Sequence, residues 1–217
     1  MNSLPATIEQ LFEELRNEIN WLHAKWIIYR ELFDHSEERV DLLNECAYAF
    51  FYIIEKTLLD EILLSVSKIT DRARTGKYEN LTFAQLQERI EALGEQQLSS
   101  ELGKLLDDLD TKCEAFRTHR HTRLAHLDLD TAMKGGAKQL PGVSRQMIED
   151  ALLLVREYMN TIERHYSQSE TGYQYFIMDS GSEALVTMLK FGFRYDELAK
   201  EQKISWKDFH DWHWKDA

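Results

Sequence analysis

Apolar residues recur in steps of three and four along most of the chain, the spacing of one face of an α-helix. From Ile8 the first stripe runs through Leu11, Phe12, Leu15, Ile19, Leu22, Trp26 and Phe33. Thr7 and Gln10 fit a capping box at its start, and the pattern ends near Asp34. A second helix is predicted from about Glu37 to Thr70, with a wide apolar face that marks a central element. The polar stretch Asp71–Asn80 contains Gly76 and reads as a loop. Thr82 and Gln85 form another capping box, with Leu81 and Leu86 spaced as a hydrophobic staple, and Gly94 closes this third helix. A fourth begins near Ser99 or Ser100 and carries Leu102, Leu105, Leu106, Leu109, Cys113 and Phe116. Residues 130–143 hold Gly135, Gly136, Pro141 and Gly142 and read as a loop. A fifth helix follows Ser144 with Ile148, Ala151, Leu152, Val155, Met159 and Ile162 on one face. After Tyr166 the pattern weakens to a shorter helix from about Ser182 and an aromatic tail with Trp206, Phe209, Trp212 and Trp214. There is no repeat and no β-alternation. The expected fold is all-α, a bundle of about five main helices over residues 1–167 with a short helical C-terminal extension over 168–217.

Composition agrees. A chain of 217 residues with 43% apolar and 29% charged residues is globular, and only 2 prolines and 9 glycines interrupt it. Cys46 and Cys113 lie far apart and outside any Cys-x-x-Cys pair, which disfavours a disulfide framework or zinc site and fits small buried apolar residues in a reducing compartment. The N-terminus lacks the blocks of a signal peptide, and no apolar run is long enough for a membrane span, so a cytoplasmic protein is expected.

Charge then narrows the search for chemistry. The formal net charge is −12, which argues against broad polyanion binding and requires any such partner to be met at a local basic patch. One segment stands out: Arg117-Thr118-His119-Arg120-His121-Thr122-Arg123-Leu124-Ala125-His126-Leu127-Asp128. On a regular helix, at ~100° per residue, His119 and Arg123 share a face with His126, whereas Arg120 is ~120° away. A bend near His119–His121 would allow Arg120 and His126 to converge. The residue types suit phosphodiester cleavage: histidine moves a proton near neutral pH, and arginine holds a phosphate and the charge of its transition state. RNA supplies its own nucleophile, the 2′-hydroxyl, so neither metal nor cofactor is required.

Arg120-His121-x-x-x-x-His126 resembles the signature of the HEPN family, the higher eukaryotes and prokaryotes nucleotide-binding domains: an arginine, a polar residue, and a histidine after a short spacer. Leu124-Ala125-His126-Leu127-Asp128 is similar to the AbiU branch, associated with abortive phage infection. So are the upstream stretch Leu64-Ser65-Val66-Ser67-Lys68-Ile69-Thr70-Asp71 and, past the polar loop, Asn80-Leu81-Thr82. The resemblance covers roughly residues 10–165. It implies a homodimeric helical bundle, metal-independent cleavage of RNA, and an antitoxin or other defence protein as partner. It casts Arg120 as the phosphate-binding residue, His121 as the polar partner and His126 as the catalytic histidine. Arg117, His119 and Arg123 are the neighbouring candidates for RNA binding.

Other readings stand beside this one. His126 could pair with Asp128 or Asp130, and the arginines with Asp107, Asp108 or Glu114, in a structural network. His119, His121, His126 and Asp128 could hold a metal, although the spacing suits strands better than helices. The domain could be an inactive interaction module or a nucleotide-binding regulator. Trp21, Trp26, Tyr48, Phe50, Phe51 and Tyr52 read as core or dimer interface rather than a base-stacking platform. Arg72, Arg74 and Lys77 read as a solvated loop rather than an RNA contact. The C-terminal tryptophans fit either packing on the bundle or docking a partner.

Overall fold

The computed structural model describes residues 4–124, 141–175 and 181–204. The fold is all-α, as the periodicity predicts. Among the described residues lie seven α-helices: α1 (Ala6–Phe33), α2 (Glu37–Ile69), α3 (Phe83–Ala92), α4 (Gln96–Lys112), α5 (Glu114–His119), α6 (Arg145–Ser167) and α7 (Ser182–Lys200). Two strands of two residues each, β1 (Arg74–Thr75) and β2 (Tyr78–Glu79), form an antiparallel hairpin between α2 and α3. Strands this short leave no alternation to read, so the sequence shows only a polar loop there. Gly76 takes φ +60° at the first position of its two-residue turn, where a side chain would be strained.

The chain divides into two compact units, Met1–Ile27 with Lys56–Ile177, and Ile28–Glu55 with Met178–Ala217. In the first, every apolar position assigned to one face of α6 is buried, including Ile148, Leu152, Val155, Met159 and Ile162. Phe83 on α3 stacks on Tyr158 of α6 at 4.2 Å between ring centroids, and the Tyr158 hydroxyl donates to the Phe83 carbonyl at 2.9 Å. Leu102, Leu109 and Phe116 are also fully buried, which fixes α4 and α5 in the core. Cys113 sits between them, and its burial pushes the thiol up to about 12. In the second unit, Arg39 donates to the Glu31 carbonyl at 2.7 Å and to the Glu183 carboxylate at 2.6 Å, tying the start of α2 to α7.

Several local expectations are corrected. α1 starts at Ala6, with the Pro5 carbonyl accepting from the Ile8 and Glu9 amides, so Thr7 lies inside the helix and caps nothing. Thr82 does cap α3, accepting from the Gln85 amide at 3.2 Å, but Gln85 Oε1 is buried and makes no return bond among the described residues. α4 begins at Gln96, upstream of the serines. α2 departs from helical geometry at Ala47, at φ −163° and ψ 70°. The aromatics expected as core or dimer interface divide: Trp26 and Phe51 are buried, whereas Trp21, Tyr48, Phe50 and Tyr52 are exposed. Cys46 is only half-buried.

Candidate functional site

The site is built where α5 meets the end of α2. Phe116 anchors α5 in the core, and the chain leaves α-helical geometry immediately afterwards: Arg120–Leu124 is a π-helical turn. Such wide turns are rare and recur at functional positions. Two hydroxyls bond back four residues here, Thr118 to the Glu114 carbonyl at 3.0 Å and Thr122 to the Thr118 carbonyl at 2.7 Å, a pattern that loosens a helix.

Arg120 reaches the C-terminal end of α2. Its Nη1 donates to Asp71 Oδ2 at 2.9 Å and to the Ser67 carbonyl at 3.2 Å. That carbonyl lies in the last turn of α2. The Asp71 amide, which a continuing helix would direct to it, goes to the Lys68 carbonyl instead. A cation at this end also meets the negative end of the helix dipole. Arg120 is mostly shielded, with 16% of its side chain exposed against 31% for Asp71. Burial works to raise the Asp71 pKa, but the Arg72 amide and the Arg120 guanidinium outweigh it and hold the carboxyl below its ordinary value. Arg120 Nη2 and Nε make no hydrogen bond among the described residues.

The other candidates have separate surroundings. Arg117 pairs with the Asp110 carboxylate at 3.1 Å and also donates to the Asp110 carbonyl. His119 Nε2 lies 2.7 Å from the Pro141 carbonyl, an arrangement that makes it the protonated nitrogen, while Nδ1 is buried without a partner among the described residues. His121 is exposed. His126 and Asp128 lie outside the described residues, as does the Arg123 side chain. The structure thus joins Arg120 to Asp71 and Ser67, and places Arg117 and His119 on different partners. Among the described residues, Arg120 meets Asp71 and Arg117 meets Asp110, rather than Asp107, Asp108 or Glu114. Among the described residues no group of three or more histidines, cysteines or acids is placed to hold a metal. In the basic loop, Arg74 pairs with Glu88 at 2.9 Å, and Lys77 lies over the Tyr78 ring.

Asp71 also forms part of the wall of a groove of about 460 Å³, whose other lining residues include Glu18, Lys68, Ile69, Asn80 and Leu81. Asn80 fixes the hairpin rim, donating through its side chain to the Arg72 carbonyl and Thr75 Oγ1. Sequence reasoning did not assign Asp71 or Ser67 a role. They fall in the stretch Leu64–Asp71 that carries the family resemblance, but their partner is some fifty positions downstream.

The family model AbiU2, a HEPN model, matches residues 6–187. The chain belongs to the AbiU2 family of HEPN domains. The AbiU2 match runs from the start of α1 into α7 and so extends past the residues 10–165 over which the resemblance is read. The Arg120–Asp71 pair and the groove lie inside it. No curated protein and no solved structure matches the chain. No described helix of this AbiU2 chain is long and apolar enough to cross a membrane.

Proposed function

We propose that this AbiU2-family chain is a metal-independent endoribonuclease of HEPN type, acting as a toxin or phage-defence component in the cytoplasm. The observation that supports it is Arg120. It is held through one nitrogen by the Ser67 carbonyl and by Asp71, a wall residue of an open groove, with the rest of its fork uncommitted among the described residues. An arginine so fixed meets a phosphate without having to be ordered first. Arg120 binds the scissile phosphate and the charge that builds on it, His126 moves the proton, and His121 is the polar partner. Arg117, His119 and Arg123 line the path of the strand. The 2′-oxygen attacks phosphorus while its proton leaves to a base. The bond from phosphorus to the 5′-oxygen then breaks, and that oxygen takes up a proton. The products are a 2′,3′-cyclic phosphate and a 5′-hydroxyl.

The competing reading is an inactive interaction module in the same defence setting, and one observation favours it. Arg120 satisfies the end of α2 and is mostly shielded, as a structural residue would be. A single experiment separates the two. Purified protein is incubated with mixed RNAs with and without EDTA, and the product ends are identified by mass spectrometry. Arg120→Ala and His126→Ala are run alongside, with their melting temperatures. The nuclease reading expects EDTA-resistant cleavage, cyclic phosphate ends, resistance of DNA and of 2′-O-methyl RNA, and at least ~10²-fold loss in both variants with little change in melting. Uncut RNA together with unfolding of Arg120→Ala favours the module. Metal-dependent 5′-phosphate products would return His119, His121, His126 and Asp128 to consideration as ligands.

A further inference from the structure

We propose that the groove beside Arg120 seats one base of a single-stranded RNA, a guanine in preference to the others, next to the phosphate that Arg120 holds. The proposal rests on the nuclease reading for the nature of the strand. Its binding chemistry comes from the groove.

The groove's volume of about 460 Å³ is in the range of small-molecule sites. Its charges decide which part of a nucleotide enters. Three carboxylates, Glu18, Asp71 and Glu79, line it against one lysine, Lys68. A phosphate inside would be repelled, so the neutral base enters and the phosphate stays outside. Arg120 is the cation that meets the Asp71 carboxylate, 2.9 Å from its Oδ2. Leu81 is 38% exposed in the wall, although the residues around it on the chain are tied into the hairpin and the α3 cap. It offers an apolar surface against which a base can lie.

The carboxylates are not equivalent. Glu79 pairs with Arg89 at 3.2 Å, and Asp71 is occupied by Arg120. Glu18 is exposed on α1 and makes no hydrogen bond or ion pair among the described residues. Its two oxygens are acceptors only. The base edge that matches a carboxylate in both positions is that of guanine, with two adjacent N–H donors. Adenine and cytosine each place an acceptor beside the amino group, and uracil flanks its one N–H with carbonyls. Reading a splayed base by its Watson–Crick edge is the usual route to sequence preference on single-stranded RNA. Lys68 has no ion-pair partner among the described residues and borders the groove, where it contacts the backbone of any sequence.

The test uses the full chain and 2′-O-methyl pentanucleotides UUNUU, with N each of the four bases, so that cleavage does not intervene. Binding is read by fluorescence anisotropy. UUGUU is expected to bind about tenfold more tightly than UUUUU, as one bidentate base contact implies. Glu18→Gln, at an exposed position that leaves folding intact, should erase that preference, because a glutamine amide donates as well as accepts. Lys68→Ala should weaken all four oligonucleotides by a similar factor. Equal binding of the four, or a preference that survives Glu18→Gln, overturns the proposal. Guanine preference in a protein that cleaves no RNA keeps the groove and removes the nuclease reading. Cleavage of mixed RNAs without base preference does the reverse.

Discussion

At the scale of single residues, two polar side chains, one partly and one fully buried, show how position decides role. Arg120 closes the end of α2 through the Ser67 carbonyl and Asp71, yet among the described residues only its Nη1 is engaged. His23 is the opposite case, satisfied on both nitrogens. Its Nδ1 lies 2.9 Å from the Ile19 carbonyl, and its Nε2 lies 3.3 Å from Arg156 Nη1, which donates to it. Burial, chiefly, and the Arg156 charge lower its pKa to about 4, against the opposing pull of the Ile19 carbonyl and Glu149. A histidine with a depressed folded pKa stays neutral in the native state while the unfolded chain takes up a proton. Its contribution is therefore whole above pH ~6.5 and is lost progressively down to about 4, a difference on the order of 3 kcal/mol. Urea midpoints of the native chain should thus fall more steeply between pH 6.5 and 4 than those of His23→Gln. Parallel curves would show that this ring carries no proton linkage. Of the two, only Arg120 was legible as a candidate. His23 lies on a helix whose apolar stripe already accounts for its neighbours, and nothing local announces that Arg156, more than a hundred positions away, faces it. Long-range partners, Asp71 for Arg120 included, are what spacing along one helix leaves open.

At the scale of elements, helix starts were legible where a small polar residue precedes an apolar period. Thr82 and Ser144 both accept from the amide three residues on, each at 3.2 Å. Removing the Ser144 hydroxyl frees an amide at the start of α6, the helix that buries Leu152, Val155, Met159 and Ile162. Ser144→Ala should cost about 1 kcal/mol, lowering the melting temperature by roughly 2–4 °C for a chain of this size, while Ser144→Asp should restore most of it. An unchanged melting temperature in Ser144→Ala would mean that packing alone sets this boundary. The rule failed at Thr7, because Pro5 presents its carbonyl one turn earlier and starts α1 first. Two breaks had no local signature. α2 is interrupted at Ala47, a good helix former with no proline or glycine beside it. The switch from α5 to a π-helical turn falls at Arg120, at the position where a bend was needed to bring Arg120 toward His126, but periodicity alone assigns it no geometry. Such breaks are set by tertiary packing, as the burial of Cys113 and Phe116 just before the second one indicates.

At the scale of the whole molecule, a net charge of −12 keeps copies of the chain apart, so any association must come from apolar surface. That surface exists in the second unit. On α2, Phe50 and Ile53 are 56% and 60% exposed, and Tyr48 and Tyr52 stack on each other at 6.0 Å while still facing solvent. On α7 of the same unit, Met188 and Phe191 are exposed as well. Four such side chains within six residues of α2 are the densest run of exposed large apolar groups among the described residues, a feature expected of an interaction site, and a closed two-fold assembly is the commonest way to cover one. The aromatics were expected as core or interface; their exposure removes the core reading for these and leaves the interface. We expect a homodimer, stable at micromolar concentration, with about 800 Å² buried per partner. Light scattering should give twice the chain mass. Phe50→Glu with Ile53→Glu should return it to the monomer mass with helical content unchanged, since both side chains are more than half exposed. Cleavage gives a second, independent readout. If two Arg120-bearing sites must share one cleft, the double variant should lose activity although Arg120, Asp71 and the groove are untouched, and the loss should shrink as protein concentration rises. A native chain that scatters as a monomer would sink the dimer. A dimer insensitive to both glutamates would move its interface elsewhere, with Trp21, 63% exposed on α1, the next residue to substitute.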